Sequence, residues 1–163
     1  VDAFLKALPA LQIPAELRHA RDEALEIAQA CAESPEFQKL ISALPSSGEL
    51  WKEREMAVVT EPGKLIYGKS DRIHIEPGNS ATIIDYKTVD EDMSAEELRK
   101  AYQSQMDLYR KALAKLCGLP TDKIRCVLVH VRKGELVECC AIKTALHAIA
   151  DSLPRTLGAR NLC

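Results

Sequence analysis

Gly68-Lys69-Ser70-Asp71-Arg72-Ile73-His74-Ile75-Glu76-Pro77-Gly78-Asn79-Ser80-Ala81-Thr82-Ile83-Ile84-Asp85-Tyr86-Lys87 is the stretch that decides how this chain folds. Residues 72–76 and 81–84 alternate or run apolar as strands do, and Glu76-Pro77-Gly78-Asn79 between them supplies a turn. A hairpin centred on Gly78 sets Asp71 and Asp85 directly opposite each other. Like charges directly opposite in a sheet are destabilising. A fold that keeps them there points to a cation between them, the signature of a metal site.

Working outward, strands are expected over roughly 50–60, 64–76 and 81–88, with Glu61-Pro62-Gly63-Lys64 making the first turn. Upstream, Pro14 to Ala32 reads as an amphipathic helix with Leu17, Ala20, Ala24, Ile27, Ala28 and Cys31 on one face. Ser34-Pro35 opens a second helix, a serine N-cap followed by proline at the first helical position. Its stripe is Phe37, Leu40, Ile41 and Leu44, and Pro45 ends it. Downstream, Val89 to Met93 is a polar loop. Ser94-Ala95-Glu96-Glu97 is then a capping box that opens a helix to about Cys117, stopped by Gly118 and Pro120. Ile124 to Val131 is a nearly unbroken apolar run, as in a strand buried on both faces. Lys133-Gly134 turns it into a partner over Glu135 to Cys140. A last helix is expected at 144–153, carrying Ala145, Leu146, Ile149 and Leu153. This order predicts an α/β fold, a mixed central sheet flanked by helices.

The 163 residues suit one domain over 1–163, with a helical lead-in over 1–46 and a core over 50–153. The first residues read as mid-domain sequence, so the expectation is a C-terminal fragment of a longer chain. With 22 basic and 24 acidic residues there is no global basic field announcing nucleic acid. That does not exclude an enzyme that grips a strand locally. No stretch approaches the ~20 apolar residues of a membrane span. The six cysteines, at 31, 117, 126, 139, 140 and 163, make no C-x-x-C pair. Their spacing fits neither a zinc site nor an iron–sulfur frame, and free thiols lead to the expectation of a cytoplasmic setting. There is no phosphate-cradling G-x-x-x-x-G-K-[ST] and no G-x-S-x-G elbow.

Asp85 and Lys87, two apart on a strand, share one face of the sheet. Alone they read as an ordinary ion pair; the facing Asp71 and the flanking isoleucines raise the functional reading. A hard divalent cation takes carboxylate oxygens and backbone carbonyls, and the Tyr86 carbonyl lies between the two side chains. Glu55 is a further acid, on the first strand. A three-residue loop at Pro62-Gly63 sets Glu55 beside Asp71, a two-residue loop sets Arg54 there, and the sequence leaves that register open. On the long helix the stripe is Leu98, Ala101, Tyr102, Gln105, Leu108, Tyr109, Ala112, Leu113 and Leu116. Gln105 thus lies within an apolar face and needs partners, with Tyr109 one turn on. A structural amide bonded to a sheet edge explains Gln105 nearly as well. None of the four histidines has metal-ligand spacing to another. His74 falls on the face away from Asp71, and His130 in a buried strand.

Glu55, Gly68-Lys69-Ser70-Asp71-Arg72-Ile73, Ile84-Asp85-Tyr86-Lys87-Thr88, and Tyr102 with Gln105-Met106-Asp107-Leu108-Tyr109 together resemble the RecB/AddA-type nuclease domain of the PD-(D/E)XK nucleases. The resemblance covers about residues 50–115. It implies that Asp71 and Asp85 bind the metal with help from the Tyr86 carbonyl, and that Lys87 is the catalytic lysine. Glu55 becomes the acid of the first strand, and Gln105 and Tyr109 the helix motif beside the site. The implied cofactor is Mg2+, with Mn2+ an alternative and no iron–sulfur cluster. The implied function is DNA cleavage by the nuclease part of a helicase–nuclease that processes double-strand breaks. Its partners would be DNA ends, the helicase portion of the same chain and a partner subunit, with no membrane. The family's upstream metal-binding histidine is not matched, since His19 lies too close to Glu55. A catalytically silent DNA-binding or structural module with the same fold is the competing expectation.

Overall fold

A computed structural model describes residues 14–140. A short 3-10 turn, Ala15–Leu17, leads into helix α1 (Arg18–Glu33) and then α2 (Pro35–Ala43). Ser34 caps α2 by accepting the Phe37 N–H at 3.2 Å, and its hydroxyl donates to the Gly134 carbonyl at 2.8 Å. One side chain therefore starts a helix and pins it to the turn of the last hairpin. Strands β1 (Glu49–Glu61), β2 (Lys64–Glu76) and β3 (Ser80–Lys87) form an antiparallel meander. The long helix α3 (Ala95–Cys117) then crosses over to β4 (Ile124–His130), which runs parallel to β3, and β5 (Glu135–Cys140) closes the sheet antiparallel to β4. The strand order is β1-β2-β3-β4-β5. The mixed sheet is the expected α/β architecture. The helix expected at 144–153 lies outside the described residues.

Both ends of α3 follow from its sequence. Ser94 and Glu97 form the reciprocal capping box, and Gly118 ends the helix at φ 66°, a left-handed C-terminal conformation that glycine takes without strain. The face it buries is narrower than the sequence stripe. Leu98, Met106, Tyr109, Ala112 and Leu113 are buried, Tyr102 and Gln105 flank them, and Ala101, Leu108 and Leu116 are exposed. Met106, outside the expected stripe, sits at its centre. On α1 the correction is larger. Leu17 precedes the helix and is exposed, as are Ala20 and Ala24, and burial is concentrated at Cys31 and Ala32.

Two cores lie on the two faces of the sheet. Ile73, Ala81, Ile83, Cys126 and Leu128 pack against α3, while Ile84, Val127 and Val129 pack against Cys31 and Leu40 of α1 and α2. The central strands β3 and β4 are covered on both sides, which explains their near-continuous apolar runs. Helices α1 and α2 do not extend over the β1–β2 hairpin. That hairpin is covered by α3 on one face only.

The hairpin contains the irregularity that positions the site. Trp51, Ile73 and Ile75 turn toward the α3 core, yet so do Met56, Val58 and Ile66. Side chains alternate strictly along a strand, so both strands switch parity between these sets. The pairing skips the level between Lys52↔Arg72 and Arg54↔Ser70, where Glu53 and Asp71 stand, and Glu53 adopts φ 49°. A glutamate in the left-handed region is unusual and costs backbone energy. Pairing of β2 with β3 also stops here, its last pair being Arg72↔Ile84. Asp71 is therefore the pivot at which the outer half of the hairpin leaves the rest of the sheet.

Candidate active site

The register of β2 with β3 is the one the Pro77-Gly78 turn predicts, but Asp71 and Asp85 do not form a ladder pair. The ladder ends one step short of them, and Asp71 Oδ2 instead accepts the Tyr86 backbone N–H at 2.8 Å. A carboxylate replaces a strand carbonyl as the acceptor, so the frayed donor is satisfied without closing the sheet. The two charges remain close: Asp71 adds to the upward push on the pKa of Asp85.

Asp85 is 2 % exposed, on the α3 face. Burial pushes its carboxyl up from the usual value, against the pull of the Lys87 ammonium. Lys87 Nζ lies 2.5 Å from Asp85 Oδ2, yet that oxygen accepts no hydrogen bond of proper direction. The contact is charge against charge, with an oxygen left short of a directed donor. Lys87 also donates to Gln105 Oε1 at 3.1 Å and stands 4.4 Å from the Tyr102 ring centre, a cation–π contact. Gln105 Nε2 in turn donates to the Tyr109 hydroxyl at 2.8 Å, which donates to the Lys69 carbonyl at 2.8 Å. This chain runs from the acid on β3 through α3 to the strand carrying Asp71. It supplies the partners that a glutamine in an apolar stripe demands.

Glu55 is not beside Asp71, and neither is Arg54: Glu55 faces Lys69 and Arg54 faces Ser70. The turn at Pro62-Gly63 has two residues, closed by Glu61↔Lys64, but an irregularity between Val59 and Glu61 shifts the ladder by one. Neither simple loop length anticipates that bulge. Glu53 is the residue level with Asp71, and it forms an ion pair with Lys69. Glu53, Glu55 and Asp71 all raise the affinity of Lys69 for its proton, Glu53 most.

His130 keeps the buried-strand place expected of it, whereas Ser70 escapes sequence reasoning. His130 is wholly buried beside Lys87 in the parallel ladder, and neither ring nitrogen has a hydrogen-bond partner. Ser70, next to Asp71, is buried with its hydroxyl unpartnered. The sequence signal for Ser70 is only its place next to Asp71, and for His130 its place in the apolar run of β4. Burial raises the thiols of Cys126, Cys139 and Cys140, Cys139 to about 11, which keeps them protonated and disfavours them as thiolate nucleophiles.

Among the described residues no group of three or more His, Cys, Asp or Glu side chains is gathered for a metal. Two carboxylates, one of them buried with an acceptor lacking a directed donor, still match what a hard divalent cation takes. A search of curated proteins finds no match. The PD-(D/E)XK nuclease superfamily matches residues 1–157, and on that match and this fold the chain belongs to the PD-(D/E)XK nuclease superfamily.

Proposed function

We propose that the chain is a metal-dependent DNA nuclease domain of the RecB/AddA type, an exodeoxyribonuclease within a helicase–nuclease that processes double-strand breaks. One observation carries the reading: a buried carboxylate, Asp85, with an ammonium 2.5 Å away and an oxygen lacking a directed hydrogen bond. A buried ion pair is weak evidence of a stabilising role, and here a second carboxylate, Asp71, is close enough to act on Asp85 as well. Nucleases of this superfamily typically use divalent metals. Here Asp71, Asp85 and the Tyr86 carbonyl would hold Mg2+, or Mn2+ in its place. Such an ion supplies activated water and neutralises charge on a phosphoryl group.

The protein's own groups do the rest. Lys87, held by Asp85, Gln105 and Tyr102, keeps a positive charge where negative charge develops on the phosphate. Gln105 and Tyr109 fix that ammonium and tie it to the strand of Asp71. Glu55 and Glu53 hold Lys69 at the outer side of the site. DNA ends are the proposed substrate, and the helicase part of the parent chain with a partner subunit would deliver them. A catalytically silent module with the same fold is the alternative, and a single experiment separates the two. With Mg2+ and end-labelled linear DNA, the full-length protein should cleave, and Asp85→Ala should cut the rate at least ~100-fold while the melting curve keeps its cooperativity. Undiminished cleavage by the variant overturns the assignment of Asp85. No cleavage by the unmodified protein favours the silent module.

A further inference from the structure

Three polar residues from three strands stand in a row beneath α3. Lys87 pairs with His130 in the parallel β3–β4 ladder, and His130 pairs with Glu135 in the antiparallel β4–β5 ladder. Ile83, Leu128 and Val137 lie in the α3 core. Alternation along each strand carries Lys87, His130 and Glu135 to that same face. Neighbouring strands are about 4.8 Å apart, so His130 stands between the lysine and the glutamate. Packing alone does not account for an imidazole there. His130 is 0 % exposed, and among the described residues neither ring nitrogen has a hydrogen-bond partner. Most buried polar atoms in folded proteins are hydrogen-bonded, and an unsatisfied one is destabilising. A phenyl ring of similar shape would fill the same place without that penalty.

Lys87 has the complementary shortage. Its ammonium carries three donors, of which Gln105 takes one. Its contact with Asp85 is one of charge, without a directed bond. Asp85 is also the carboxylate proposed to hold a cation, and an oxygen turned to that cation is withdrawn from Lys87. We infer that His130 is a positioning residue for Lys87. When Asp85 is engaged, the unprotonated imidazole nitrogen accepts from the ammonium, and the imidazole N–H is directed to Glu135. The new acceptor is uncharged, so it fixes the ammonium without neutralising it and leaves that charge for the phosphate. The inference rests on the nuclease reading and adds to it a second holder of the lysine, on β4, besides Gln105 on α3.

The test compares His130→Phe with His130→Gln in the full-length protein, with Mg2+ and end-labelled linear DNA. His130→Phe should lower kcat about tenfold, the size of one hydrogen bond to a charged group, and leave KM unchanged. His130→Gln, which keeps a donor and an acceptor, should recover most of that rate. In thermal melting His130→Phe should be at least as stable as the unmodified protein, since the unpartnered nitrogens are gone. In a Lys87→Ala background His130→Phe should remove no further rate, because it acts through that lysine. Unchanged kcat in His130→Phe overturns the inference, and so does a loss that adds in full to that of Lys87→Ala. A melting midpoint lowered in both His130 variants also overturns it, making the residue one of packing. Loss of cleavage in Asp85→Ala alongside unchanged kcat in His130→Phe sinks this inference and leaves the nuclease reading standing. No cleavage by the unmodified protein overturns both.

Discussion

Asp71 separates two regions built on opposite plans. On its β3 side, Asp85, Lys87, Gln105 and Tyr109 form a largely enclosed chain of polar contacts beneath α3. On its hairpin side, Glu53, Glu55 and Lys69 are exposed, with an apolar outer face beyond them. Charges in the first region act at low dielectric and are fixed before any substrate arrives; those in the second are screened by water. The first is therefore the one suited to stabilising charge during a reaction. The strained Glu53 and the end of the β2–β3 ladder mark where one plan gives way to the other.

If the enclosed region carries the chemistry, its lysine should be the most costly residue to lose after Asp85. Lys87→Ala should lower turnover about 10²–10³-fold while Mg2+ affinity, read by calorimetry, changes little. An equal loss of both would make Lys87 a structural counter-ion. Lys87→Arg should not restore turnover, because a planar guanidinium cannot take the place of a compact ammonium held by a carboxylate, an amide oxygen and a ring face. The seam between the regions comes next. Gly68→Ala drives a methyl group into the Tyr109 ring, so urea unfolding should show a loss of about 1–3 kcal/mol. Unchanged stability would mean that the ring yields and the two regions are not locked together.

How much of this was legible follows from the same division. The β2–β3 register could be read because Pro77-Gly78-Asn79 fixes the turn and the apolar pattern fixes the faces. Gln105 betrayed itself as an amide in an apolar stripe, although its partners Lys87 and Tyr109 were joined only by the crossover of α3. The hairpin side resisted. Its register depends on a bulge between Val59 and Glu61, and its change of parity depends on a glutamate in a conformation that its side chain does not encode. Thus Glu55 could be nominated from the chain, whereas the placement of Glu53 level with Asp71 needed coordinates.

The smallest effect is expected on the face of the meander turned away from α3, at His74. Arg72 Nε donates to His74 Nε2 at 2.8 Å, a bond that requires the imidazole to be neutral at that nitrogen. Burial lowers the histidine's affinity for a proton, and the neighbouring Arg72 charge lowers it further. As pH falls below the ordinary value of 6.5, the unfolded chain takes up a proton that folded His74 refuses. Stability contributed by this residue is therefore full above that value, declines through the window beneath it, and levels off once the folded form is protonated too. Urea unfolding from about pH 7.5 down to about pH 5 should show that decline, and His74→Gln, which cannot titrate, should flatten it slightly. An unchanged slope would remove His74 from the account. A slope that reverses would mean that Glu76, which pulls the other way, outweighs burial and Arg72 together, and that this face of the meander is held by charge rather than by exclusion of water.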